Sequence, residues 1–323
     1  MTVDGLVDSY YQYNFTGSTA NTPPALRNFD TNSNTFTLNY ARVGLGVSAD
    51  KAALRIDMGY GATGSIINAA VPPGAMAMGP TAASAFLVEQ AFASLTPITN
   101  LTIDFGKFDT TAGAEVIQAN KNWLYSRSFL FFNIPLVHEG LRIGYKVNDM
   151  LSLQGSVVNG WNGQGLDTDV NKDKTFGLNA SITLPMGVGI LPTIYVGDEG
   201  SGSTRFLFDL VGTYAAGPLG LNLNFDYLED KNAGIDPFLG VAVMGHYALS
   251  DAANVTARLE YAQQKAMGAT SKFYEGTIGM AFPFSGHYEV RPELRFDGSD
   301  QHAFDGGKDK SQVTGTVAAL AYF

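Results

Sequence analysis

The feature that most limits what this chain can become is an apolar/polar alternation with a period of two, repeated from one end to the other. In LGLNLNFDYL (219–228), Leu219, Leu221, Leu223, Phe225 and Tyr227 share one face, and Gly220, Asn222, Asn224, Asp226 and Leu228 share the other. Successive side chains of a strand point to opposite faces, so such a segment has one dry and one wet side. The pattern recurs at 52–60, where Leu54, Ile56, Met58 and Tyr60 alternate with Arg55 and Asp57, and at 101–108, 141–147, 176–184, 205–214, 255–261 and 274–282. At 288–296 it sets Glu289, Arg291, Glu293 and Arg295 in one row. Vaguer runs at 3–15, 36–47, 86–96, 151–158, 190–196, 238–249 and 313–323 bring the total to about sixteen strands. Segment 36–47 keeps its alternation only if the phase slips near Ala41, which predicts a bulge there.

The connections alternate in length. Short links rich in turn residues (48–51, 97–100, 148–149, 185–187, 217–218, 250–253 and 284–286) take turns with long ones (16–35, 63–85, 110–135, 159–174, 198–203, 230–237, 263–272 and 298–310). A soluble sandwich has no reason to gather its long loops at one end, whereas an outer-membrane barrel has short periplasmic turns and long external loops. Charged residues make up only 15% of the chain, thin polar cover for a soluble domain. The longest apolar runs, such as 129–132, fall far short of the about 20 residues a spanning helix needs. Lipid then covers the dry faces without a second protein layer. The sequence predicts an all-β fold: a transmembrane antiparallel β-barrel forming a single domain over 1–323, in the bacterial outer membrane.

Secondary signals agree with this expectation. No basic stretch followed by an apolar one opens the chain, so the export signal that this location requires is expected to have been removed already. The absence of cysteine suits an oxidising compartment, and a net charge of −10 argues against a nucleic-acid-binding surface. Tyr11, Tyr13, Phe15, Tyr214, Tyr227, Tyr247, Tyr261 and Tyr288 cluster near strand ends, as interfacial girdles do.

The run Gly113-Ala114-Glu115-Val116-Ile117, followed by Asn122-Trp123-Leu124-Tyr125-Ser126-Arg127-Ser128, Ile134-Pro135 and His138-Glu139-Gly140, resembles the OmpL-like putative beta-barrel porins. Val158-Asn159-Gly160-Trp161-Asn162 is similar to a second stretch of that family. The resemblance implies a bacterial outer-membrane pore whose constriction loop is 110–135, since porins fold a loop into the lumen after the fifth strand. A last strand ending on Phe323 resembles the signal read by the barrel-assembly machinery. That machinery, membrane lipid, lipopolysaccharide and the other copies of a homotrimer are the partners implied.

On the predicted lumen face the basic residues are Arg42, Arg55, Arg142, Lys146, Arg205, Arg258, Arg291 and Arg295. The acidic ones are Asp4, Asp8, Asp57, Asp104, Asp209, Asp226, Glu260, Glu275, Glu289 and Glu293. A barrel of about sixteen strands is wide enough for an aqueous channel, and with the resemblance this implies a passive diffusion porin for ions and small polar solutes; near balance on its wall predicts weak selectivity with a slight cation preference. Asp167, Asp169, Asp173, Asp300, Asp305 and Asp309 in external loops would add to that preference. Within the constriction loop Glu115, Lys121 and Arg127 are the candidates to set size and charge discrimination, although Arg127 equally suits a bidentate anchor to a wall carboxylate. A non-transporting barrel that serves as an adhesin, or as a scaffold for a surface lipoprotein or filament, is the alternative.

Three other patterns carry less. Residues 59–64 match G-x-G-x-x-G, but Pro72-Pro73 interrupts the helix a dinucleotide site needs. Asp167, Asp169, Asn171 and Asp173 have the spacing that opens a calcium loop, with Lys172 where glycine and Leu178 where a bidentate glutamate belong. The four histidines show no paired metal spacing, and no G-x-S-x-G motif accompanies them. No cofactor, metal or enzymatic activity is expected, and His246 projects to the wet face.

Overall fold

The computed structural model describes residues 1–69, 84–162, 171–200, 202, 204–230, 232, 235–266 and 269–323. Among them the chain forms sixteen strands. The first eight are β1 (Thr2–Asn14), β2 (Thr35–Ala49), β3 (Ala52–Tyr60), β4 (Phe86–Leu95), β5 (Leu101–Asp109), β6 (Val137–Lys146), β7 (Leu151–Val158) and β8 (Thr175–Leu184). The rest are β9 (Val188–Asp198), β10 (Thr204–Ala216), β11 (Leu219–Asp230), β12 (Ile235–Ser250), β13 (Ala253–Ala266), β14 (Ala269–Phe284), β15 (Tyr288–Ser299) and β16 (Ser311–Tyr322). Each runs antiparallel to its neighbours, and β1 pairs with β16, so the sheet closes on itself and leaves no edge unpaired. Closure reaches the last residue, where Gly5 and Phe323 exchange backbone hydrogen bonds of 3.1 and 3.2 Å.

All the segments predicted from alternation are strands, and the burial is inverted relative to a soluble protein. Apolar faces point outward: Leu259 and Phe105 are each 70% exposed, and Leu221, Leu223 and Val243 share that side. Polar faces point inward and are sealed over much of the wall, with Asp57, Asp226 and Arg258 at 0% exposure. This arrangement is stable only where hydrocarbon bathes the outside. The outward aromatics fall into two bands. Tyr214, Tyr247 and Tyr288 lie toward the short-turn end, whereas Tyr11, which packs on Phe36 (5.0 Å between ring centres), and Tyr261, which packs on Tyr274 (5.5 Å), lie toward the long-loop end.

The predicted phase slip in β2 is present, at Asn39, two residues before Ala41. Register with β1 steps from Asp8–Tyr40 to Ser9–Leu38, leaving Asn39 as the extra residue. Its amide donates to Asp8 (2.9 Å) and to the Tyr125 hydroxyl (3.0 Å), so an inward polar network fixes the slip. A second bulge, not foreseen, puts Glu89 between the Asp57–Gln90 and Met58–Val88 pairs of β3 and β4 and turns it inward. A short helix α1 (Ala62–Ile67) follows β3, where the G-x-G-x-x-G reading expected none. Its six residues end well before the Pro72-Pro73 pair, which lies outside the described residues, and Ile66 and Ile67 pack into the barrel.

The lumen is partly filled by its own loops. Leu26 and Phe29 from 15–34, and Phe129, Leu130 and Phe131 from α2 (Phe129–Asn133), join inward Leu207, Leu228, Phe238 and Phe273 in one apolar cluster toward the long-loop end. Arg27 is buried at the edge of this filling, held by Asp30 (2.7 Å), Asp297 (3.0 Å) and the Thr314 hydroxyl (2.6 Å).

Candidate functional site

Residues 110–136 leave β5 and pass inside the barrel, since they bond to inward side chains on opposing sides of it. Thr111 takes a hydrogen bond at its carbonyl from Thr193 on β9 (3.3 Å). The backbone N–H of Gly113 donates to Asp209 on β10, and that of Ala114 to Asn224 on β11, each at 3.0 Å. Further along, the N–H of Tyr125 donates to Glu293 on β15 (2.9 Å), and the Tyr125 hydroxyl donates to Asp8 on β1 (2.9 Å). Gln118 donates to Glu89 on β4, and Trp123 stacks on His246 of β12 at 5.0 Å.

The short helix α2 explains why this segment lies inward. Ser128 caps it by accepting from Phe131 N–H (3.1 Å), and Glu260 on β13 accepts from the N–H groups of Phe129 and Leu130, both at 2.8 Å. Free N–H groups at a helix start favour a carboxylate. The apolar run of α2 would have no cover outside, whereas inside it meets Phe238 and Phe273.

The predicted constriction residues take different places. Glu115 is buried; it accepts from Arg258 Nη1 on β13 (2.8 Å) and from Ser128 N–H (2.9 Å). Arg127 is buried as well, but it binds no wall carboxylate. Its guanidinium donates to the carbonyls of Val116 (3.0 Å), Ile117 (2.6 Å) and Tyr125, and lies over Phe29 and Phe131. The loop's own turn brings three carbonyls together, and the planar fork fits them better than one distant acid. Lys121, in the 3-10 turn Ala119–Lys121, is exposed.

Each of the eight predicted wall cations has a carboxylate partner. Arg42 and Arg55 share Asp4 and Asp57 at 2.6–2.8 Å. Arg142 bonds Asp104 (2.8 Å), Lys146 bonds Asp149 in the short turn (2.7 Å), and Arg205 bonds Asp230 (3.1 Å). Arg258 also holds Glu275 (3.0 Å), Arg291 pairs with Glu289, and Arg295 pairs with Asp297 (2.7 Å). Three of these cations also hold the loop. Arg258 and Arg295 donate to the carbonyls of Ser126 (2.9 Å) and Arg127 (2.6 Å), and Arg291 donates to that of Ala119 (2.8 Å). Asp209 and Asp226 face each other in register, with Asn224 donating to both.

Glu89, Arg27 and Asp297 belong to this network and were not singled out in sequence; the break of alternation at Glu89 is the one signal that marks any of them. Of the calcium pattern, Asp167 and Asp169 lie outside the described residues. Asn171 Oδ1 accepts from Asp173 N–H (2.9 Å). His246 faces inward, its Nδ1 beside the Thr256 hydroxyl (2.9 Å).

Over residues 1–323 the sequence matches a family described as putative beta-barrel porin-2, OmpL-like. No curated protein matches it significantly. Similar solved structures include a loop L8 deletion mutant of OmpT, an outer membrane protein of Vibrio cholerae (TM-score 0.68, 14% identity, 100% of this chain and 98% of that one). In-vitro folded OmpT of Vibrio cholerae in its trimer form gives 0.62 at 13% identity, covering 100% and 98%. An anion-selective porin from Comamonas acidovorans gives 0.65 at 14%, covering 100% and 99%. At these identities the likeness is one of fold.

Proposed function

The chain belongs to the OmpL-like putative beta-barrel porin-2 family, and from that membership we propose that it is an outer-membrane channel for passive diffusion of ions and small polar solutes, without catalytic activity. The observation that carries this is residues 110–136, docked by charged and polar bonds inside a closed sixteen-strand barrel and narrowing it. Lys121 is the member of the predicted constriction set that meets a permeating ion, while Glu115 and Arg127 fix the shape of the loop.

The charge pattern supports a slight cation preference. Arg42 and Arg55 stand among Asp4, Asp57 and Glu89, three carboxylates to two guanidiniums, and Asp209 faces Asp226. Asp300, Asp305 and Asp309 add negative potential at the external mouth. The trimeric neighbour supports a homotrimer, and the outer face of β14 to β16, β1 and β2, where small residues such as Gly315 and Ala319 line shallow grooves, is the contact we assign to it. Phe323, outward at the periplasmic rim, is the residue we assign to the assembly machinery, with lipid and lipopolysaccharide around the wall.

The apolar filling around Phe131 and Phe238 favours a second reading, a non-transporting barrel that displays its loops as an adhesin or scaffold. Single-channel recording in a planar bilayer under a salt gradient separates the two. A steady current with a small reversal potential toward cations is expected of the channel, and no steady current leaves the scaffold.

A further inference from the structure

The docked segment divides the lumen unequally. Its hydrogen bonds reach β1, β2, β4, β5, β6, β9, β10, β11, β13 and β15, and among the described residues none reaches β7 or β8. Burial records the same division. Inward Asp226, Arg258 and Thr316 on the far wall are sealed, whereas Gln154 and Ser156 on β7 and Asn179 and Ser181 on β8 remain half-exposed. Register shows that these four point inward: Ser156 lies opposite Arg142, and Gln154 lies opposite Asn179. An inward side chain of a closed barrel can be exposed only to space inside it, so the open space lies against β7 and β8. On the loop, Val116 (38% exposed) and Lys121 are the residues turned away from the packed filling.

The chemistry of that wall is distinctive. Hydroxyls and carboxamides line it, and among the described residues the side chains of Gln154, Ser156 and Ser181 bond no protein group, which leaves their donors and acceptors for water or solute. The adjoining cations of β6 are neutralised, Arg142 by Asp104 at 2.8 Å and Lys146 by Asp149 at 2.7 Å, and Arg142 covers Phe108 at 4.4 Å. An ion beside β7 and β8 gives up hydration and gains no opposite charge from that wall, the Lys121 ammonium standing on the facing loop edge, whereas a polyol exchanges its bonds to water for equivalent ones. Resting on the channel reading, we propose that solutes cross through a one-sided slot between the Val116 and Lys121 edge of the loop and the inner face of β7 and β8, and that its preferred cargo is an uncharged polyhydroxylated solute of simple-sugar size.

The absence of cysteine allows a direct test on the full barrel in bilayers. Ser156→Cys and Asn179→Cys, labelled with a bulky neutral methanethiosulfonate, are expected to lose most of their single-channel current, and Thr316→Cys on the sealed wall is expected to keep it. Ser181→Cys gives the same readout if either slot variant fails the heat-modifiability test of folding. In swelling assays on liposomes holding the unmodified channel, a neutral pentose is expected to enter faster than a sugar acid or an amino sugar of similar size. Unlabelled current with no loss on labelling at 156, 179 and 181 would overturn the slot, and faster entry of either charged sugar would overturn the cargo. No current from the unmodified protein would instead overturn the channel reading itself, and the slot with it.

Discussion

Replacing Arg258 with methionine removes one charge from the junction between loop and wall while keeping most of the volume. The guanidinium bonds Glu115 of the loop at 2.8 Å, Glu275 of β14 at 3.0 Å and the Ser126 carbonyl at 2.9 Å, and it has no exposure to water. Arg258→Met therefore strands two carboxylates. Breaking a buried pair by removing one partner costs about 3–5 kcal/mol. Arg295 remains 3.7 Å from Glu275 and offsets part of this, so the lower end, about 3 kcal/mol, is the expected loss. Glu275 stands on the wall beside Arg258 and keeps Arg295, so the share of the loss that falls on docking is that of Glu115 and the Ser126 carbonyl, about half. At about 1.4 kcal/mol per tenfold, the docked-to-released ratio falls by roughly tenfold. Trp123 reports this directly: it stacks on His246, and Trp161→Phe leaves it as the sole tryptophan of the two. Denaturant titration followed by its fluorescence is expected to shift to lower midpoint in Arg258→Met, and single-channel records to flicker. Adding Glu115→Gln, which removes one stranded charge, is expected to recover part of both. An unchanged Trp123 transition together with a quiet channel in Arg258→Met would refute the assignment of this charge cluster as the loop's anchor.

Arg127→Lys replaces a fork that serves three carbonyls with a single ammonium; a loss of about 1–3 kcal/mol in loop stability is expected, read as faster limited proteolysis within 110–136 of an otherwise intact barrel. Leu259→Lys puts a charge at mid-height on the outer face and is expected to cost about 2–4 kcal/mol of insertion free energy, read by the heat-modifiable gel shift on folding into vesicles; unaltered folding would contradict a lipid-facing side. The Ser18 N–H and hydroxyl, at 3.2 and 2.9 Å, hold the Asp305 carboxyl below the ordinary carboxylate range. The stability this gives the contact between loops is present above the ordinary carboxylate pKa and is lost as pH falls through the lowered folded value. Deuterium exchange of residues 16–22, normalised for intrinsic rates, is expected to rise over that acidic window in the wild type and to lose the step in Asp305→Asn.

Much of the wall was legible because its cause is local: the pleat sends alternate residues to opposite sides, so Leu221 and Asp226 declare their sides by position alone. Alternation does not say what medium the inner side meets. Leu228 shares the face of Asp226 and looked like an exception within LGLNLNFDYL, yet it is buried against the folded-in loops, a contact made from far along the chain. The charge count reaches less far for a similar reason. Counting lumen residues gives near balance, but no count reveals that Arg258, Arg291 and Arg295 hold the loop rather than face water. Bulges lay between these extremes. A slip in β2 was visible, but its place was set by the pull of Asp8 and Tyr125 on Asn39, which no local pattern contains.

The bonds that fix residues 110–136 also bear on mechanics. A cylinder whose wall is one strand thick ovalises readily when lateral pressure in the surrounding leaflet changes, because hinging between neighbouring strands breaks no hydrogen bond. Here one segment is tied to opposing sides of the circumference, to Asp8 on one flank and to Asp209 and Glu260 on the other, and so braces it as a spoke braces a rim. The cross-section should then stay round as bilayer tension varies, and the aperture should hold its area by internal strutting rather than by the stiffness of the wall.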